Sequence, residues 1–168
     1  MLEQAAIDGL KFAREGQRLQ GNLPLASLPG VAAELIDPAG SVSYALTGFV
    51  DDRGRPGIEV RTRAQLALVC QRCLSRMDFE HDRHTQLMLV ADSAALPELG
   101  EEEFETEAVP VETVANVADL VEQEVLLGLP IAPSHADGTC TPPDAPRSAK
   151  QDSPFAVLRQ LKDSENVN

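Results

Sequence analysis

The stretch Ile58-Glu59-Val60-Arg61-Thr62-Arg63-Ala64-Gln65-Leu66-Ala67-Leu68-Val69-Cys70-Gln71-Arg72-Cys73-Leu74 decides how the rest of the chain is read. Ile58, Val60, Thr62, Ala64, Leu66 and Leu68 recur with period two, and Glu59, Arg61, Arg63 and Gln65 fall between them. Successive side chains of a strand point to opposite faces, so this is one strand with a core face and a charged face. The pattern resumes after Leu74, with Met77, Phe79, Leu87, Leu89 and Ala91 separated by polar residues such as Asp78, Glu80 and Gln86. The C-x-x-C therefore sits at the tip of a long β-hairpin. That is where a zinc knuckle is found, because turn amides donate to the thiolates and keep them ionised. A redox-active C-x-x-C instead opens a helix whose N-terminus lowers the thiol pKa, and the residues after Cys73 favour a strand.

The chain contains three cysteines, too few and too odd in number for a disulfide framework. The third, Cys140, follows His135 by five positions. Cys70, Cys73, His135 and Cys140 together supply the four soft ligands of a tetrahedral Zn2+ site. The alternative is two cysteines of a hairpin turn and an unrelated third in a loop. His81 and His84 lie on the far strand of the hairpin and are expected to be exposed polar residues rather than ligands.

Working outward, Ser41–Val50 alternates through Val42, Tyr44 and Leu46 and reads as a strand, bounded by turns at Asp37-Pro38-Ala39-Gly40 and Asp51–Gly57. Val31–Ile36 reads as a further strand. Asp8, Leu10, Ala13 and Gly16 mark a short N-terminal helix with its cap and its stop. Periodicity is lost from Asp92 to Val114, a stretch with Pro97, Gly100, Glu101-Glu102-Glu103 and Pro110, which suggests a mobile acidic loop. Asn116 then caps a helix whose stripe is Val117, Leu120, Val121 and Val125, with Glu122 and Glu124 projecting elsewhere, and Gly128 and Pro130 end it. This helix delivers His135 and Cys140. The expected fold is α+β: an antiparallel, partly curled β-sheet over residues 31–91 with a few packed helices and a candidate zinc knuckle. Residues 1–140 form a single domain with an acidic loop at about 92–114, and residues 141–168 form a Pro-rich linker and a short C-terminal helix opened by Ser153-Pro154.

Charge divides the chain. The net charge is −13, from 14 Lys and Arg against 27 Asp and Glu. Arg53 to Arg83 carries seven arginines and four acids, whereas Asp92 to Glu124 carries eleven acids and no Lys or Arg. One reading is solvated surface charge. The other is two working faces, one attracting phosphates through Arg61, Arg63, Arg72 and Arg76, the other attracting a basic protein. Aromatic residues are only 4% of the chain and Trp is absent, so stacking platforms for single-stranded nucleic acid are not evident. No hydrolase triad, P-loop or dinucleotide fingerprint occurs, and an enzyme acting on a small molecule is not expected. The opening residues lack a signal-peptide pattern and no run approaches a membrane span, so a cytoplasmic location is expected.

Five segments in order resemble a known family. They are Cys70-Gln71-Arg72-Cys73-Leu74, Asp119-Leu120 through Leu129-Pro130, His135 to Cys140, and Pro154-Phe155-Ala156-Val157-Leu158-Arg159-Gln160-Leu161-Lys162, together with Gly16-Gln17-Arg18-Leu19 near the start. In this order they are similar to the bacterial YceD-like proteins, the large ribosomal RNA subunit accumulation proteins. The resemblance implies a non-enzymatic ribosome biogenesis factor for synthesis, processing or stability of 23S rRNA, and no catalytic residues. Its partner would be 23S rRNA itself or a basic large-subunit ribosomal protein, which the acidic segment would shield before assembly. A direct rRNA binder is ordinarily basic, and a charge of −13 runs against that unless the arginine-bearing face acts locally.

Overall fold

A computed structural model describes residues 6–91, 107–114, 116–136 and 139–140. Among these, strands β1 (Arg18–Pro24), β2 (Ser41–Val50), β3 (Pro56–Val69), β4 (Arg76–Val90) and β5 (Glu107–Pro110) form one sheet in the order β1-β2-β3-β4-β5. Helices α1 (Gly9–Arg14), α2 (Pro29–Glu34) and α3 (Val117–Leu127) accompany it. The fold is α+β, as the alternating and helical periods required.

The central hairpin is the longest pairing, running from Gly57 opposite Met88 to Val69 opposite Arg76. Ile58, Val60, Thr62, Ala64, Leu66 and Leu68 are all buried, as their spacing predicted. The opposite sheet face carries Arg61, Arg63, Asp78, Glu80, Asp82 and His84 and faces away from the core. One wet face and one covered face are usual for antiparallel strands.

The sheet departs from expectation in extent and direction. It begins at Arg18 rather than 31, and β5 adds to β4 in parallel, so it is mixed rather than antiparallel throughout. It is also not strongly curled, because β1 and β5 remain two separate edges. A parallel neighbour needs a long connection, and residues 92–106 lie between β4 and β5, outside the described residues. The expected acidic loop is therefore shorter at its end: Glu107–Pro110 is a strand and Val111–Val114 a 3-10 turn. Four residues are too few for alternation to register in a sequence. The linker and helix expected over residues 141–168 also lie outside the described residues.

Val31–Ile36 is not a strand. Pro29 opens α2 at a first-turn position, where its fixed φ suits a helix and its missing N–H costs nothing. The free amides of Gly30 and Val31 are met by Glu122 Oε1 of α3, 92 and 91 positions away. Glu122 therefore caps α2 from across the fold. Val31 is buried between the two helices and the sheet.

Helix α3 forms as its stripe requires. Asn116 Oδ1 accepts from the amide of Ala118 at 3.0 Å, and Val117, Leu120, Val121 and Val125 are buried. Helix α1 is capped by Asp8, which accepts from Lys11 N at 3.0 Å. It lies so close to β2 that a β-carbon on Gly48 would run into the Phe12 carbonyl oxygen. Among the described residues no helix is long and apolar enough to cross a membrane.

His81, beneath α3, overturns its expected exposure, and Glu124 of α3 joins it in the interior. His81 is 2% exposed, with Nε2 at 2.8 Å from Thr62 Oγ1. Glu124 is also buried, where its carboxylate accepts from Arg83 Nε at 2.9 Å and Thr85 Oγ1 at 2.8 Å. His81, Arg83 and Thr85 share the core-facing parity of β4, and α3 covers them. The buried imidazole of His81 and carboxylate of Glu124 therefore find partners within the protein, while Arg83 and Thr85 stay partly exposed. His84, on the other face, is exposed as expected and lies 2.7 Å from Glu59 Oε1.

Candidate metal centre

The turn joining β3 to β4 curls tightly. Leu74 N donates to Cys70 O at 2.8 Å, and Cys70 N donates to Ser75 O at 2.9 Å. Leu74 closes the curl with φ of 59°, a left-handed conformation that a side chain other than glycine rarely adopts. Past the turn of Gly128, residues 129–136 and Cys140 return to this tip, and Gln71 N donates to Pro133 O at 2.8 Å. The hairpin tip and the segment leaving α3 are thus pinned side by side.

The ligand atoms of Cys70, Cys73, His135 and Cys140 lie within 4.8 Å of one another, a group able to hold a metal ion. Cys70 Sγ and Cys140 Sγ are 4.0 Å apart, and Cys73 Sγ is 3.4 Å from His135 Nδ1. Tetrahedral zinc with bonds of about 2.3 Å to sulfur and 2.0–2.1 Å to nitrogen sets edges of roughly 3.8 Å and 3.6 Å. The donor set fits such an ion in both chemistry and spacing. When bound, the ion would tie the two segments by four bonds.

The surroundings act differently on each ligand, readying the Cys70 and Cys73 thiolates and favouring the protonated forms of His135 and Cys140. His135 Nε2 lies 3.2 Å from the Arg76 carbonyl, which can only accept, so Nε2 carries the proton and Nδ1 turns its lone pair toward the sulfurs. Burial pushes the Cys70 thiol up, but the amides of Cys73, His135 and Arg72 outweigh it and bring the pKa down to about 5. Ser75 holds the Cys73 thiol below its ordinary value through its hydroxyl, 3.0 Å from Sγ, and through its backbone. Hydrogen bonding to Cys70 raises the His135 imidazole. Burial lifts the Cys140 thiol, against the opposing hydrogen bond from Arg72.

The four arginines offered as phosphate contacts have separate fates. Arg61 Nη2 is 2.7 Å from Glu59, and Arg63 Nε is 3.1 Å from Asp82. Arg76 pairs with Asp78 at 3.0 Å and with Asp37 at 4.0 Å. These three share the open face of the sheet, each beside a carboxylate. Arg72 instead turns inward, its Nε donating to Cys140 Sγ at 2.9 Å. Sequence reasoning missed that turn and also the part played by Ser75. Ser75 two positions after Cys73 was a usable signal for a hydroxyl donor, whereas nothing local marks the direction Arg72 takes.

The fold is thus an α+β sheet with a cluster of three cysteines and one histidine, able to hold a metal ion, at the tip of its longest hairpin. The sequence profile described as Large ribosomal RNA subunit accumulation protein YceD matches residues 58–162, a span from the start of that hairpin past the ligand-bearing segment. The chain belongs to this YceD family, and so to proteins connected with ribosome biogenesis and the large-subunit RNA. No solved structure matches it.

Proposed function

We propose that this protein is a non-catalytic factor for 23S rRNA accumulation that works by holding a basic large-subunit ribosomal protein before assembly, with Zn2+ at the knuckle as a structural tie. The observation that carries this reading is the pairing on the open sheet face. Arg61, Arg63 and Arg76 lie against Glu59, Asp82 and Asp78 at 2.7, 3.1 and 3.0 Å. A surface that grips phosphates needs uncompensated positive charge, since counterion release from the nucleic acid supplies most of the affinity. Here the cationic face is neutralised by its own neighbours, and the chain as a whole carries −13. Such a charge favours a cationic protein partner and speeds its encounter at low salt. The ligand cluster keeps its place in this account as scaffold, because four side-chain donors at the cluster complete a tetrahedral zinc without a substrate position.

The test sets purified protein against 23S rRNA fragments by mobility shift, and against isolated basic large-subunit ribosomal proteins by pull-down at graded salt. The expected result is salt-sensitive capture of a ribosomal protein, unaffected by Arg61→Ala, Arg63→Ala and Arg76→Ala together. Tight rRNA binding that falls, with a shallower salt slope, in the triple variant would overturn the reading in favour of direct phosphate contact.

A further inference from the structure

Arg72 occupies an interior position of the C-x-x-C, where a side chain is free to point to solvent. It does not. Its guanidinium folds across the centre and, among the described residues, meets the second ligand arm at Cys140 Sγ (2.9 Å), the His135 carbonyl (3.2 Å) and the Ala136 carbonyl (3.4 Å). Other contacts between hairpin and arm come from backbone amides, with Gln71 N on Pro133 O at 2.8 Å and His135 N on Cys70 Sγ at 3.5 Å, and from the His135 imidazole, whose Nε2 lies 3.2 Å from the Arg76 carbonyl. Those contacts act at the start of the arm. Arg72 acts farther along, on the carbonyls of His135 and Ala136 and on the Cys140 sulfur.

The fork of a guanidinium suits this task. Its N–H donors diverge in one plane, so one side chain can hold a sulfur and two carbonyls together, which an ammonium on a flexible stem does less well. Charge favours the same arrangement. Three thiolates and a neutral imidazole around a dication sum to −1, and a guanidinium beside one sulfur brings the partly buried centre to neutrality.

We propose that Arg72 is a positioning residue for the metal centre, the clip that holds Cys140 in place as the fourth ligand and delays its departure. This rests on the metal reading of the Cys70, Cys73, His135 and Cys140 cluster. In the reverse sense it removes Arg72 from the set of surface cations available to a nucleic acid. Outer contacts that orient metal ligands characteristically change affinity by about 10- to 100-fold when removed.

The experiment uses the full chain loaded with Zn2+, and with Co2+ as an optical probe. Zinc release into excess chelator is followed with a colorimetric indicator in wild type, Arg72→Ala, Arg72→Lys and Arg61→Ala, and folding of each is checked by far-UV circular dichroism. Arg72→Ala should release zinc about 10-fold faster or more, and its Co2+ spectrum should lose sulfur-to-cobalt charge-transfer intensity as Cys140 leaves. Arg72→Lys should fall between it and wild type, and Arg61→Ala should match wild type. If wild type takes up no Zn2+ or Co2+, the metal reading itself fails and the clip with it. If wild type binds metal and folded Arg72→Ala or Arg72→Lys releases it at the wild-type rate with an unchanged spectrum, the cluster is a metal site and Arg72 is not its clip.

Discussion

Gly128 stands directly against the imidazole of His81: a β-carbon there would meet the ring's Cε1 and lie 2.7 Å from Nδ1. Gly128 has φ of −87° and ψ of −8°, a conformation open to alanine. On backbone grounds alone, Gly128→Ala should stabilise the fold by about 0.4–1 kcal/mol. The ring reverses that sign. We expect Gly128→Ala to destabilise by about 1–3 kcal/mol through overpacking. Urea melts of the single variant and of Gly128→Ala with His81→Ala decide it, since the second change should recover much of the loss.

His81 also makes stability pH-dependent. Burial and the nearby Arg83 charge hold its pKa below the ordinary 6.5, with Asp82 and Glu124 opposing them. Below 6.5 the unfolded chain takes a proton that the folded chain refuses, so the unfolded state binds more protons and stability rises with pH. The contribution is whole above 6.5 and is lost as pH falls toward the depressed folded value. Melting temperatures at pH 7.5 and 5.5 should differ less in His81→Gln than in wild type. An equal difference in the two proteins would remove His81 as the source.

The pair that joins α3 to β4, Glu124 with Arg83, gives a third prediction. Glu124→Ala leaves Arg83 and Thr85 facing a cavity without their acceptor. Removing one partner of a fully buried pair costs about 3–5 kcal/mol, and Arg83 keeps some access to water, so about 2–3 kcal/mol is expected here. A double-mutant cycle with Arg83→Ala should return a favourable coupling. Simple additivity would show that Glu124 acts through packing alone.

For the centre itself, protein prepared under reducing conditions should carry about one zinc per chain by elemental analysis. A strong chelator should lower its melting temperature, because ligation in the folded state adds to folding free energy. Cys73→Ser and His135→Ala should each lose that metal and become insensitive to the chelator.

The parts of the fold written in local periods were legible from the residues. Ile58 through Leu68 announce β3 by alternation, Asn116 and its stripe announce α3, and the cysteine and histidine spacings pick out all four residues of the cluster. What stayed hidden depends on residues far apart in the chain. Val31 and Ile36 look like strand residues, and α2 exists because Pro29 opens it and Glu122 supplies its missing cap from 92 positions away. His81 looks solvent-facing until α3 is laid over β4, and Glu124 lies off the apolar stripe until Arg83 and Thr85 are brought to it. Arg72 looks like a surface cation until Cys140 is brought beside it.

The hairpin tip and the arm that completes the cluster come from distant parts of the chain, with Cys70 and Cys140 70 positions apart. Synthesis from the N-terminus exposes the two hairpin thiols long before His135 and Cys140 exist. A pair of thiols alone makes a weak, labile half-site. All four donors coexist only once the chain has been made through Cys140. If the cluster takes up a metal, tight capture would therefore come late in the birth of the molecule, and a bound ion would mark a chain whose second arm has reached the hairpin tip.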